Sequence, residues 1–316
     1  MRRADRKGKN MMKRLTVILL AVALTLTVGS AGGASSEIDL RNMRFTFPTN
    51  SLFGDFDQEG AAGTVTPADP PVSASGEEVP VITEGFVPDR LNKVVIGEDD
   101  RIQVFDTAEY PFSAIANMKV TGECGENWEC TGFMVGKNFL LTAAHCMYCP
   151  EHQKWAQNVT FYFGYKSNSN CLMKYTGGWN AVVGTTFPEG YDFSGMSDDW
   201  CYVKLEKNVG EETGWLSFRC AADSEINEQG YVVAGYRNNR LKYCYGEATV
   251  SDDHLILFDA DDQPGNSGGP IFFTGAEGEK ACADAIIAAE CTEPLINIGR
   301  RISRYMYDCM VRDGYQ

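Results

Sequence analysis

Short apolar or alternating runs recur between turn residues from Val94 onward: "FSAIANMKV", "VTFYFGY", "DWCYVKL", "GYVVAGY", "HLILFD" and "DAIIAAE" among them. Each is of strand length, and several are built from β-branched and aromatic side chains that suit a pleated, half-buried surface. No long helical period lies between them to supply the crossovers that a parallel sheet needs. The chain must therefore fold as an antiparallel sandwich or barrel. Only the last segment, "GRRISRYMYDCMVRD", reads differently. Ile302, Tyr305, Met306, Cys309 and Met310 recur at helical spacing and form one apolar stripe, which predicts an amphipathic helix over about 300–313 packed on the β domain.

The N-terminal end sets the compartment. Seven Lys and Arg precede Leu15, and an apolar run to about Val28 and small residues follow. This is the layout of a secretory signal peptide over 1–34, with cleavage near Ala31 or Ala34 and a possible true start at Met11 or Met12. The run is short for a membrane anchor, so no membrane association is expected once it is removed. Residues 35–93 contain no cysteine and include "GTVTPADPPVSASGEEVPVITEG", rich in Pro, Gly, Ser and acid. Such a stretch is predicted to be a loosely ordered pro-segment, or else a linker, ending at the basic Lys93. The remaining residues, 94–316, form the functional domain, an extracellular monomer. The formal net charge of -15 excludes nucleic acid as a partner, since binding it needs a basic face.

Eleven cysteines lie between Cys124 and Cys309. In an oxidising compartment most should pair, and the odd count leaves at least one free thiol, for which Cys201 in the apolar run "DWCYVKL" is the candidate. The remaining pairings are open: Cys149 with Cys124 or Cys171, Cys220 with Cys244, Cys282 with Cys291. "HCMYCPEH" places two Cys and two His within eight residues, but zinc sites draw on a second, distant ligand pair, and none is evident. No metal and no cofactor are expected.

The chemistry concentrates in "DDQPGNSGGP", Asp261 to Pro270. Glycines this dense permit backbone angles that other residues resist and let N–H groups face an open space. A serine there can be a nucleophile with an anion site beside it, provided that a base and an orienting group exist. Of three histidines, His145 follows an apolar strand and two small alanines in "NFLLTAAHC". A carboxylate that holds an imidazole should be partly buried beside a strand. Asp199, next to Trp200 in "SDDWCYVKL", meets that need, with Asp198 as its exposed neighbour.

In this order, "TAAHC", "DDWCYVKL" and "GNSGGP" resemble the chymotrypsin-like serine proteases, and the bacterial glutamyl endopeptidase branch in particular. That branch is also similar in "VVIGEDDRIQVFDTAEYPFSAI", "CTGFMVGKNFLLTAAHC", "VGEETGWLSF" and "GRRIS". The resemblance implies an all-β fold of two antiparallel six-stranded barrels, about 94–208 and 209–300, with the active site between them and a C-terminal α-helix. It implies a peptide-hydrolysing enzyme with Ser267 as nucleophile, His145 as general base and then acid, and Asp199 as orienting carboxylate. The N–H groups of Gly265 and Ser267 would form the oxyanion hole, and Cys130 and Cys146 a disulfide. A non-catalytic binding protein on the same scaffold is the competing reading.

Two positions depart from the family. Asn266 stands where trypsin-type enzymes carry an aspartate that pairs with a freshly cut N-terminus. The glutamyl branch is expected to place a histidine on the strand lining the specificity pocket, where "ADAIIAAECTEP" has Ile287 or Ala288. By the same correspondence Asp261, Asp262, Ala288, Ala289 and Glu290 would line the pocket. Acidic groups there would favour Lys or Arg before the scissile bond. Glutamyl specificity is the alternative.

Overall fold

The computed structural model describes residues 44–46, 60–69, 95–96, 98–167, 170–185, 187, 193–227, 229–274, 280–293 and 295–316. The expected signal peptide, most of the expected pro-segment, Lys93 and the side chain of Glu290 lie outside the described residues. The chain divides into a unit ending at Arg44 and a unit from Phe45 to Gln316, and both barrels belong to the second.

The first barrel is built from β3 (Ile115–Gly122), β4 (Asn127–Met134), β5 (Phe139–Thr142), β6 (Lys154–Phe163), β7 (Trp179–Val183) and β8 (Cys201–Leu205). Antiparallel pairing runs β6–β3–β4–β5–β8–β7. Two preceding strands, β1 (Ala61–Ala62) and β2 (Thr64–Pro67), bridge the remaining gap. β1 pairs with β6 through Ala61 and Val159, and β2 runs parallel to β7, from Thr64 opposite Asn180 to Pro67 opposite Val183. Residues 60–69 fall inside the stretch that composition marks as loose or only partly ordered, and here they pair as strands. Their own sequence lacks a long apolar period; they are ordered by pairing with strands that come later in the chain.

The second barrel comprises β9 (Gly230–Arg237), β10 (Arg240–Val250), β11 (Leu255–Phe258), β12 (Pro270–Phe273), β13 (Cys282–Glu293) and β14 (Leu295–Arg301). Pairing runs β9–β10–β11–β14–β13–β12 and returns to β9, a closed ring of six. Closure removes the unpaired edges that an open sheet would expose. Residues Ile102–Gln103 pair with β10, so the start of the expected first barrel belongs to the sheet of the second. The β9–β10 turn is "RNNR", with Asn238 and Asn239 both at positive φ (48° and 63°), as a two-residue hairpin of matching twist requires.

The C-terminal helix α1 (Arg304–Arg312) starts after Ser303, whose hydroxyl accepts the Met306 N–H. Met306, Cys309 and Met310 are buried, the stripe expected from their spacing. Residues 300–301 end β14 rather than begin the helix. Tyr202 reaches α1 by donating to Asp313 Oδ2 at 2.7 Å.

Candidate active site

His145 sits in a single turn (Ala144–Met147) directly after β5, and all four residues of the turn are buried. Asp199 lies between a turn of 3-10 helix (Phe193–Asp198) and β8. The pairing of β5 with β8, Cys201 opposite Thr142, brings the two together. Asp199 Oδ2 accepts from His145 Nδ1 at 2.7 Å, and its Oδ1 accepts the His145 backbone N–H at 2.9 Å. The carboxylate thus fixes both ring and main chain, and Nε2, on the far side of the ring, lies 4.0 Å from Cys146 Sγ. Asp199 is 1% exposed and His145 4%. Burial alone opposes an imidazolium. The charge of Asp199 and its hydrogen bond to the ring, with Cys146 beside Nε2, outweigh it and hold the His145 pKa well above its ordinary value.

The turn that carries Ser267 packs against the same region from the second barrel. Gly268 has φ +81°, and a Cβ there would lie 2.1 Å from Thr142 Oγ1 and 2.2 Å from the Thr131 carbonyl oxygen. Only glycine can bring Ser267 this close to the strand that leads to His145. Gly265 is likewise left-handed, with φ +103°. The turn's own hydrogen bonds are donated by the N–H groups of Asn266 (to Gln263), Gly268 (to Ile287) and Gly269 (to Asn266). The N–H groups of Gly265 and Ser267 lie outside that set.

Thr131, to which the sequence reading gave no role, ties the two barrels at this turn. Its N–H donates to the Ser267 carbonyl at 2.9 Å, and its hydroxyl donates to the Gly265 carbonyl at 2.8 Å. The same hydroxyl accepts the Tyr236 N–H at 2.8 Å. Its one sequence signal is its place in "CTGFMVG", a polar residue at the head of an apolar run.

The residues expected to shape the specificity pocket are distributed differently. Asp261 Oδ1 accepts the Ile96 N–H and its Oδ2 the Asp100 N–H, each at 2.9 Å, so this buried carboxylate anchors the segment that precedes the first barrel. Asp262 accepts the Gln263 N–H at 2.7 Å and interacts with Asn266, Arg101 and Arg237. Ala288 and Ala289 are buried at a bulge in β13, following Ile287, which exchanges backbone hydrogen bonds with Gly268 and Gly269.

The thiols of Cys130 and Cys146 are hydrogen-bonded neighbours, and Cys146 also donates to the Ser267 carbonyl at 3.3 Å. Cys124, Cys146, Cys149, Cys171, Cys201, Cys220, Cys244, Cys282 and Cys309 carry free thiols in this structure. Cys201 is buried in β8. Cys220 is exposed, whereas Cys244 is buried and donates to Asp100 Oδ1 at 2.8 Å. Of the "HCMYCPEH" stretch, Cys149 and His152 come together with Cys124; His145 pairs instead with Asp199, and Cys146 donates to the Ser267 carbonyl.

Residues 102–305 match the trypsin family. A glutamyl endopeptidase of Bacillus licheniformis is 24% identical over 226 residues, covering 68% of this chain and 67% of that protein. An extracellular metalloprotease of Bacillus subtilis is 27% identical over 144 residues, covering 45% of this chain and 44% of that one. A solved Glu endopeptidase superposes with a TM-score of 0.58 at 21% identity, over 70% of this chain and 99% of its own, a likeness of fold. The chain belongs to the trypsin family of serine endopeptidases. Among the described residues no helix is long and apolar enough to cross a membrane.

Proposed function

We propose that this chain is a secreted endopeptidase that cuts peptide bonds through an ester on Ser267. The observation that carries the reading is the two-point grip of Asp199 on His145, beside a serine turn closed by left-handed glycines. Ser267 Oγ attacks the scissile carbonyl carbon as His145 Nε2 takes its proton. The carbonyl oxygen, now negative, is met by the N–H groups of Gly265 and Ser267; in such sites one donor is worth about 3–4 kcal/mol. His145 then gives its proton to the leaving amine, and water, activated by the same imidazole, releases the acid product. Asp199 keeps the proton on Nδ1 and stabilises the imidazolium.

Preference before the scissile bond follows from where the carboxylates go. Asp261 and Asp262 are committed to Ile96, Asp100, Gln263 and Asn266. That engages two of the three carboxylates, Glu290 being the third, on which cleavage after Lys or Arg was expected to rest. Cleavage after glutamate is the better reading, and the Bacillus licheniformis relative bears that name. Fluorogenic peptides differing only at the residue before the cut (Glu, Gln, Lys, Arg) test it: the Glu peptide should turn over fastest, and preference for Lys or Arg would restore the basic reading. Ser267→Ala should fold, give no turnover and resist an organophosphorus serine-hydrolase probe. Turnover at the wild-type rate by this variant would end the assignment of Ser267, and a wild-type protein that neither cleaves peptides nor takes the probe would be a binding protein on a protease scaffold.

A further inference from the structure

A cavity of about 430 Å³ opens beside the nucleophile turn, lined by Arg101, Arg237, Arg240, Lys242, Gln263 and Asn266. Four cations meet here in a protein whose formal net charge is -15, so the local field is opposite in sign to that of the whole chain. We propose that this cavity is a subsite for an acidic residue on the leaving-group side of the scissile bond; the proposal rests on Ser267 being the nucleophile.

The topology assigns the side. Strand β12 begins just after the nucleophile turn and has β13 on one flank and β9 on the other. The expected specificity wall, Ala288 and Ala289, is on β13. The cationic residues Arg237, Arg240 and Lys242 belong to the β9–β10 hairpin. A peptide whose residue before the cut lies against β13 therefore sends its leaving half towards the hairpin.

The cavity is held in shape by its own contacts. The Arg101 side chain is 3% exposed and is gripped at two points by Asp99, with Nε to Oδ1 and Nη2 to Oδ2 both at 2.9 Å. Lys242 Nζ stands 3.5 Å from the same carboxylate. Arg237 Nη1 donates to the Pro264 carbonyl at 3.3 Å, which ties the cationic hairpin to the residue before Gly265. Asp99, Asp262 and Glu129, which interacts with Arg237 and accepts the Asn239 N–H, offset part of the charge, and four cations against three carboxylates leave the lining net positive. Asn266 supplies the complementary feature: its Oδ1 is buried and has no hydrogen-bond partner. A lining with cations and one spare acceptor matches an acidic amino-acid residue within a peptide, which offers a carboxylate and a backbone N–H. Arginine guanidinium groups suit carboxylates through paired, charge-assisted hydrogen bonds.

The test uses matched peptides with Glu, Gln or Lys at the first or second residue after the cut and the same sequence before it. Wild-type kcat/KM should favour Glu over Gln about tenfold at one of these positions, and the ratio should shrink as salt is raised. In the double variant Arg240→Gln/Lys242→Gln the ratio should fall to within about twofold of unity, with the Gln peptide itself nearly unaffected. A wild-type ratio at or below one at both positions, or a ratio that survives the double variant, would overturn the proposal. Calorimetric binding of the acidic peptide to Ser267→Ala protein, about tenfold weaker when the two hairpin cations are also removed, reads the cavity without turnover. Binding of this kind in a protein that cleaves nothing would refute the nucleophile assignment while keeping the cavity as an acidic-peptide site. Equal binding with and without the hairpin cations would refute the cavity.

Discussion

Trp179 Nε1 donates to the Ala61 carbonyl oxygen at 3.0 Å, joining strand β7 to a segment 118 residues earlier in the chain. Around this bond the segment is held at several points. Ala61 N–H donates to Thr176, Gly63 N–H to Gln157 and Ala68 N–H to Val183, while Thr64 Oγ1 donates to Asn180 Oδ1 at 2.7 Å. Gly63 lies so close to the indole that a Cβ would come 2.1 Å from its ring. The segment therefore behaves as a strand of the first barrel and not as a tether. After a cut at an engineered protease site placed between residues 80 and 93, the fragment carrying residues 60–69 should co-elute with the enzyme in native gel filtration. Gly63→Leu should release it, and separation of the wild-type fragment would show the pairing to be too weak to hold. The β1–β2 strap would then stay with the mature enzyme rather than leave with the remainder of the pro-segment.

The His145 pKa fixes the acid limb of activity. The base works only when Nε2 is unprotonated, so a pKa held well above 6.5 makes kcat/KM fall as pH drops through that raised value. Asp199→Asn removes the charge that favours the imidazolium and presents the wrong partner to Nδ1. Activity should fall by about 10³–10⁴, and the residual acid limb should move to lower pH. A pH profile of kcat/KM for both proteins checks this, and an unmoved limb would mean that another group sets it.

Much of this site was legible in the sequence because its parts are local. The glycines around Ser267, the alanines before His145 and the strand after Asp199 each announce a local geometry, and the structure shows the pairing of β5 with β8 completing it. The helix stripe at Met306, Cys309 and Met310 was legible for the same reason. What could not be read depends on distant pairing. Nothing in "GAAGTVTPAD" signals that Trp179 and Val183 will hold it. The roles of Asp261 and Asp262 hinge on which backbone N–H groups or side chains stand opposite them, and correspondence of position alone does not specify those. Thr131 escaped notice because a threonine in a strand carries no mark of the turn it will meet across two barrels.

Asp262 offers a thermodynamic test of the polar layer behind the nucleophile turn. Burial raises its pKa from 3.8 to about 6, against the opposing effects of the Gln263 N–H, Asn266, Arg101 and Arg237. A carboxyl whose folded pKa exceeds its unfolded value contributes stability that is complete below the unfolded value and is lost as pH rises through the folded one. From pH 4 to pH 7 this group therefore costs the fold about 2 kcal/mol, taking 1.36 kcal/mol per pH unit between its unfolded and folded pKa values. Asp262→Asn cannot titrate. Its stability relative to wild type should rise across that interval by an amount of this order, measured by urea denaturation at several pH values. A difference that does not change with pH would show that Asp262 titrates as an ordinary carboxylate.

Thr131 carries the sharpest test of how the first barrel supports chemistry on the second. Its hydroxyl is buried and makes two hydrogen bonds, to the Gly265 carbonyl and from the Tyr236 N–H, and its N–H holds the Ser267 carbonyl. Thr131→Val keeps shape and the backbone bond but leaves the Gly265 oxygen and the Tyr236 N–H unpaired in the interior. Each such orphan costs about 1–3 kcal/mol. Because one of them belongs to the peptide unit of Gly265, kcat should fall by about tenfold or more while KM changes little. Thr131→Ser, which keeps the hydroxyl, should recover most of the lost rate. If the valine variant loses stability but keeps its kcat, Thr131 secures the barrels and does not position the nucleophile turn. A valine variant that loses rate and a serine variant that regains it would place the hydroxyl in control of that turn, because a loss of packing alone would not be repaired by the smaller side chain.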